Sequence, residues 1–409
     1  MPKNNIILSL LALLLSVQVG AVGLQDVQGK LYVPTSNRLK DLDLSTADAN
    51  TLLSAVLSRA QYKKSSSELS LADCLSMSNG SLALACKLIL LGNNLNAGRL
   101  DTYATALEAL SEQERSQAQS FIARLDGDVA RRIGNRQANN PKNLKIDLVA
   151  EAGDFLKDYA EPVVDVEING NAAKAIFDTG ASATIISESD AIRYGVEQIA
   201  EPAVVSSYYG SKQLKARYGV IRKLNISGAE FSNILVVVGG KLNLLGLDLI
   251  SSFDNVVIAN EHIALNLPDS EIKALQTQCV AHVFLGSTYS RQTQFLYFLT
   301  QVDGRQTAAS IDTGNFYYLS GGVNKPDPAE LSQKNTIVTD VNGAKSQLTI
   351  NTMARLQIGS ESRSVTYTAL AEQRYLTPHV LGWAAFQDHE LIWNTHESKA
   401  CIKDKRQTK

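Results

Sequence analysis

Several features that would point directly to a function are missing from this sequence. Its 409 residues carry 39 Lys and Arg against 41 Asp and Glu, a net charge of −2. No excess of either sign therefore points to nucleic acid or an acidic polymer as partner. Histidine is scarce. His262, His282, His379, His389 and His396 show no metal-ligand spacing, and His389 sits in a charged turn where solvation is expected. There is no nucleophile elbow, P-loop or dinucleotide fingerprint. Neither a metal nor a cofactor is expected. Beyond the N-terminus no apolar run reaches the length of a membrane span.

What is present begins with Met1 to Gly23, which has Lys3, an apolar run from Ile6 to Val17 and small residues at Ala21 and Gly23. That is a secretory signal pattern, with cleavage expected after Gly23 or, alternatively, Ala21. An uncleaved anchor is disfavoured, because Gln18 and two glycines interrupt the apolar stretch. No cysteine lies near the cleavage site, which disfavours a lipoprotein. The chain is expected to be exported, periplasmic or secreted, with no stable membrane insertion after signal removal. Only four cysteines occur, Cys74, Cys86, Cys279 and Cys401. Pairing 74 with 86 and 279 with 401 keeps each bridge within one domain, and four buried thiols are the alternative.

Two copies of one short motif organise the rest: Ile176-Phe177-Asp178-Thr179-Gly180-Ala181-Ser182 and Ser310-Ile311-Asp312-Thr313-Gly314-Asn315. Each Asp-Thr-Gly follows an apolar, strand-like run that delivers a carboxylate at a strand end. A buried carboxylate is costly and persists only if hydrogen-bonded or put to use, and the Gly lets backbone amides approach it. One such tripeptide is weak evidence, so the shared surroundings carry the argument. Asn169-Gly170 and Asp303-Gly304 are hairpin-turn dipeptides, each with its Gly eight residues before the Asp. Leu244-Leu245-Gly246 and Val380-Leu381-Gly382 place a Gly 68 and 70 residues after it. Between them, the strand-to-turn signals ending at Gly228 and Gly359 also recur. Four landmarks in one order at nearly one spacing read as a duplicated unit.

At these residues the chain resembles the pepsin and retropepsin superfamily of aspartic proteases, over roughly its last two-thirds. Phe177 to Ser187 with Leu244 to Ile250 is similar to a retropepsin-like lobe; the second lobe, with Val380 to Phe386, matches less closely. The resemblance implies a catalytic dyad of Asp178 and Asp312. Thr179 and Thr313 would lash the two loops together, and Gly180 and Gly314 would give amides to the carboxylates. Ala181 stands where pepsins carry a hydroxyl residue, which should raise the dyad's pKa values and move the optimum toward weakly acidic pH. Asn315, followed by Phe316, Tyr317 and Tyr318, departs from the family. It could donate its amide to Asp312, or its bulk could misplace the loop and leave the second lobe catalytically weak.

In chain order, residues 24–142 read as a helical domain. A helix with an N-cap among Ser45 to Asp48 carries Leu52, Leu53, Val56 and Leu57, and a capping box at Ser111 to Glu114 opens a helix expected to run through Leu125. Shorter helices are expected over 69–77, 81–91 and 100–110. This region is expected to be a permanent accessory domain rather than an inhibitory prosegment. Asp126 to Pro141 reads as a polar linker. Residues 143–270 and 271–409 read as two mainly-β acid-protease lobes, so the fold class is α+β, with an all-α domain before lobes related by internal duplication. By position, the stretch around Tyr208, Tyr209 and Gly210 matches the flap hairpin of aspartic proteases.

The resemblance therefore implies an aspartic endopeptidase that binds extended polypeptide in a cleft between the lobes, as a monomeric catalytic unit. The alternative is an inactive protease-like module that binds peptide or a partner protein in the same groove.

Overall fold

Both Asp-Thr-Gly motifs end the second strand of a hairpin, and both hairpins turn on the expected dipeptide. Asn169-Gly170 and Asp303-Gly304 take φ values of 49° and 83°, and 50° and 76°, the left-handed pair that a two-residue turn needs. A computed structural model describes residues 24–32, 46–60, 70–148, 162–206, 213–322, 332–340, 343–370, 377–395, 397 and 399–408. Among these residues the fold is mixed, with ten helices and two large sheets.

Seven of the helices precede Ile133. The longest, Gly80–Asn96, is capped by the Asn79 side chain and buried almost all round, so the other helices of the region pack about it. The Ser111 capping box forms with both its bonds, but its helix ends at Ala118 rather than reaching Leu125. Phe121 and Leu125 are buried from a turn instead, and Asp126 starts a new helix, Gly127–Ile133, by accepting from the amides of Asp128 and Val129. The expected linker is therefore structured. Its next residues, Gln137–Asn139, pair with the Ala229–Val238 strand. A composition rich in Asp, Arg and Asn concealed a one-sided helix that buries only Gly127, Ala130 and Ile133.

The first sheet has eight strands, in the order Gln137–Asn139, Ala229–Val238, Ile185–Ile186, Leu244–Leu245, Asn171–Phe177, Val163–Ile168, Gln213–Ile226 and Glu197–Ser206. The second has thirteen. One half follows the same order around its own motif: Glu361–Leu370, Leu319–Gly322, His379–Gly382, Arg305–Asp312 and Gln294–Val302, with Gly343–Ile358 bonded to the last of these. Parallel pairs match too. Ile176 and Phe177 pair with Leu244 and Leu245, as Ser310 and Ile311 pair with Val380 and Leu381.

Ser332–Asp340 extends the sheet beyond Gly343–Ile358, and the remaining strands are an antiparallel run of Cys279–Ser287, Lys399–Asp404, His389–Asn394, Asn255–Ile258, His262–Leu265 and Leu144–Asp147. It joins strands at 144–147 and 255–265 to the C-terminal strands, so residues on both sides of 270 share this platform. Both disulfides take the within-domain pairing, Cys74–Cys86 and Cys279–Cys401. Among the described residues no helix is long and apolar enough to cross a membrane.

Alternation along the first motif strand divides two cores. Phe177 joins Leu245, Ile186 and Val238 in the core of the β region. Ile176 faces the other way and, with Ile185, Val237 and Leu244, shares a core with the helices.

Candidate active site

The two loops meet and exchange four hydrogen bonds. The Thr179 hydroxyl donates to the Ile311 carbonyl (3.0 Å) and accepts from the Thr313 amide (3.1 Å). In mirror fashion the Thr313 hydroxyl donates to the Phe177 carbonyl (2.6 Å) and accepts from the Thr179 amide (2.9 Å). Both threonines are fully buried. A hydroxyl is required at each position because it must donate and accept at once.

This lashing brings Asp178 and Asp312 together, their carboxyls hydrogen-bonded to one another. Gly180 donates to Asp178 Oδ1 (2.8 Å) and Gly314 to Asp312 Oδ1 (3.0 Å). The loops pass so close that a Cβ on Gly180 would fall 2.2 Å from Asp312 Oδ1, and one on Gly314 would fall 2.7 Å from the Asp178 carboxyl. Burial, and then the charge of Asp178, pushes the Asp312 carboxyl well above the usual carboxylate range. Burial also raises Asp178, opposed by the Gly180 amide, the Asp312 hydrogen bond and the amides of Ala181 and Gly314. Two neighbouring buried carboxyls cannot both ionise readily, so the pair retains one proton into the range where a lone aspartate has lost its own.

Behind each loop an apolar-apolar-Gly strand closes in. A Cβ on Gly246 would lie 2.4 Å from the Ala183 carbonyl carbon, and one on Gly382 would lie 2.2 Å from the Tyr317 carbonyl oxygen. The Ala181 carbonyl accepts from the Leu247 amide (2.8 Å), and the Asn315 carbonyl accepts from the Trp383 amide.

Asn315 reaches Asp312 with its backbone amide and not with its side chain. Its side chain turns from Asp312, donating to Ser320 Oγ (2.9 Å) and accepting from the Tyr317 amide (3.0 Å), while its backbone amide supports the Asp312 carboxylate. The loop keeps its place, since the threonine exchange is complete on both sides. His389 also departs from expectation. It is 2% exposed, lies beside Tyr318, and its imidazole is pushed down to about 4, chiefly by burial and then by Arg363. Tyr208, Tyr209 and Gly210 lie outside the described residues. The strands that flank them, Glu197–Ser206 and Gln213–Ile226, pair as an antiparallel hairpin closing at Ser206 and Gln213.

Some residues at the site had no signal in the sequence. Asp248, two positions after Gly246, accepts from the amide and hydroxyl of Thr184 (2.8 and 2.9 Å). Its carboxyl is raised by burial and held down by Arg136. Ser182 exchanges bonds with the backbone of Gln294, whose side chain reaches the Ser182 carbonyl (2.8 Å) and Asn96 Oδ1 (2.7 Å). Asp248 has no counterpart after Gly382, where Trp383-Ala384-Ala385 follow, so the duplication gave no hint of it. Among the described residues no three His, Cys, Asp or Glu side chains gather as a metal site.

Two lashed Asp-Thr-Gly loops, each carried on a hairpin, thus bring a pair of buried carboxyls together. Residues 164–252, less than a quarter of the chain, match the family described as gag-polyprotein putative aspartyl protease, which supports the retropepsin-like aspartic protease superfamily. Among solved structures the chain is similar to a retropepsin-like aspartic protease from Rickettsia conorii, at 21% identity over 32% of this chain and 92% of that one, with a TM-score of 0.23. No curated protein matches.

Proposed function

We propose that the protein is an aspartic endopeptidase that hydrolyses backbone amides within a polypeptide through a water held by Asp178 and Asp312. The single observation that carries this reading is the contact of two buried carboxyls on loops lashed by Thr179 and Thr313. In the proposed role one carboxylate of the pair, assigned here to Asp178, takes a proton from the water as its oxygen attacks the scissile carbonyl. Asp312 donates its proton to the carbonyl oxygen. As the C–N bond breaks, Asp178 returns a proton to the leaving amine and Asp312 recovers one from the collapsing diol. Gly180, Gly314 and the backbone amides of Ala181 and Asn315 hold the carboxylates in place, and the 197–226 hairpin is the proposed flap.

The shared strand order of the two halves supports an internal duplication, with lobes near 143–270 and 271–409 following a helical domain over 24–142. Since one chain supplies both aspartates, the proposed catalytic unit is a monomer. Two disulfides and the N-terminal signal pattern support an exported, periplasmic or secreted enzyme. The test is cleavage of an unfolded protein by the purified chain across pH 3–7. Asp178→Asn and Asp312→Asn should each abolish it while leaving the fold intact by circular dichroism. Undiminished cleavage by either variant, or none by the parent, would overturn the proposal.

A further inference from the structure

Six positions after Asp178 stands Thr184, fully buried, which ties the loop to the bracing strand behind it. Its amide and hydroxyl donate to Asp248 Oδ1 (2.8 and 2.9 Å), and its hydroxyl accepts from the Gly246 amide (3.3 Å). The Leu249 amide donates to the same Asp248 oxygen (2.8 Å), so three donors converge on one atom. An ionised oxygen accepts such a cluster well, whereas a protonated carboxyl is a poorer acceptor and carries a donor of its own. The charge that favours ionisation is Arg136, which opposes the upward pull of burial on Asp248.

Arg136 is held by the helical region. Its amide donates to the Gly98 carbonyl (2.8 Å), and its guanidinium donates to the carbonyls of Asn96 (3.0 Å) and Asp248 (3.1 Å). A Cβ on Gly98, whose φ is 68°, would fall 2.5 Å from Arg136 Cβ, so the turn after Gly80–Asn96 leaves room for this side chain. The second half has the same order of groups. Six positions after Asp312, the Tyr318 hydroxyl donates to Asp388 Oδ2 (2.8 Å) and accepts from Arg363 (3.1 Å), which pairs with Asp388 (2.7 Å). The Tyr318 carbonyl accepts from the Gly382 amide (3.1 Å). Hydroxyl, carboxylate and arginine follow one another behind both aspartates. Arg363, however, lies on Glu361–Leu370 in its own half, whereas Arg136 comes from the helical region.

We propose that Arg136 is a positioning residue for Asp178, acting through Asp248 and Thr184, so that the helical region completes the catalytic unit. This rests on the dyad being catalytic. Among the described residues Arg136 is the charged group that acts on Asp248, and Arg99 acts in turn on Arg136. Without the guanidinium, Asp248 takes up a proton at a higher pH, the three-donor cluster on its Oδ1 loosens, and the loop carrying Asp178 loses its tie to Gly246. A misplaced carboxylate slows the chemical step more than it weakens substrate binding, so the loss falls on kcat and on the acid side.

The test measures kcat and KM of the full chain on a fluorogenic peptide from about pH 4 to 7, for the parent and for Arg136→Gln. A third protein combines Arg136→Gln with Asp248→Asn, whose amide oxygen accepts without titrating. Relative to the parent, Arg136→Gln should lose about tenfold more kcat at the acid end than at the neutral end, with KM changed little. The double variant should regain the parent's profile shape on the acid side. An unchanged profile, an equal loss at every pH, or a double variant as acid-sensitive as the single would overturn the positioning role and leave the peptidase reading standing. If circular dichroism shows Arg136→Gln unfolded, Arg136→Lys decides. It keeps the charge, so retention of the acid side supports the role and its loss overturns it. A parent that cuts nothing at any pH would sink both.

Discussion

Replacing Thr313 by Val tests the lashing of the two loops, since Val keeps the shape of Thr and removes only the hydroxyl. Two bonds vanish: the one to the Phe177 carbonyl at 2.6 Å and the one from the Thr179 amide at 2.9 Å. Both lie in fully buried surroundings, with Phe177, Thr179 and Thr313 all inaccessible, so water cannot replace the lost partner. Leaving a buried amide and a buried carbonyl unpaired costs ~1–3 kcal/mol each, and the carbonyl, with a second lone pair, falls at the low end. The expected destabilisation is therefore about 2–4 kcal/mol, while Thr313→Ser, which retains the hydroxyl, should cost under about 1 kcal/mol. Urea unfolding followed by tryptophan fluorescence reads it out, because both tryptophans, Trp383 and Trp393, are buried in the second sheet region. Adding Thr179→Val should cost less than the sum of the singles, since the four bonds form one unit. If Thr313→Val stays within about 0.5 kcal/mol of the parent, the exchange does not hold the halves together and the reasoning fails.

Asp312→Asn should change stability with a definite pH dependence. A carboxyl raised on folding favours the native state fully below its unfolded pKa, and that favour is lost as pH rises through the folded pKa. The amide that replaces it does not titrate, so the variant should gain stability relative to the parent as pH rises above about 4, measured by the same urea titrations. A variant that instead loses ground over that range would contradict the raised carboxyl. The two disulfides should also differ in weight. They close loops with sequence separations of 12 and 122 residues, for which chain entropy gives about 3 and 5 kcal/mol. The double Ser variant at Cys279 and Cys401 should thus be the less stable by about 2 kcal/mol, and equal midpoints would argue against the entropic account.

What could be seen in the sequence was whatever repeats or is local. The Asn-Gly and Asp-Gly turns, the motif strands and the bracing glycines each depend on a few neighbouring residues, and each recurs, so the second copy checks the first. The disulfide pairing was accessible because Cys279 and Cys401 fall on strands that pair, His282 lying opposite Cys401. The seven-residue helix after Asp126 was not, because a helix that short buries too few residues to show a period. Nor was the fate of Asn315. Its side chain had two partners within reach, and the choice of Ser320 over Asp312 depends on where Leu319–Gly322 lies in the sheet, which is tertiary information. His389 was misread for a related reason: its charged neighbours Asp388 and Glu390 suggested solvent. Instead Arg363 pairs with Asp388 (2.7 Å) and also with Asp404, and the cluster is enclosed.

The sheet face that bears the aspartates explains why the two halves need not be read as equivalent. In the first half its strand positions are Ile176, Ile185, Val237 and Leu244, all apolar and all in the core shared with the helices. In the second, the positions that pair in the same way are Ser310, Ser320, Thr368 and Val380, mostly hydroxyl residues. These are buried too, but among hydrogen bonds: Thr377 accepts from the Ser310 amide, Asn315 donates to Ser320, and Thr368 donates to Asn351. An apolar face needs a cover, and a face lined with hydroxyls can satisfy itself locally. The helical region therefore has one place to dock, on the side of Asp178. Two halves with the same strand order thus differ in what covers this sheet face.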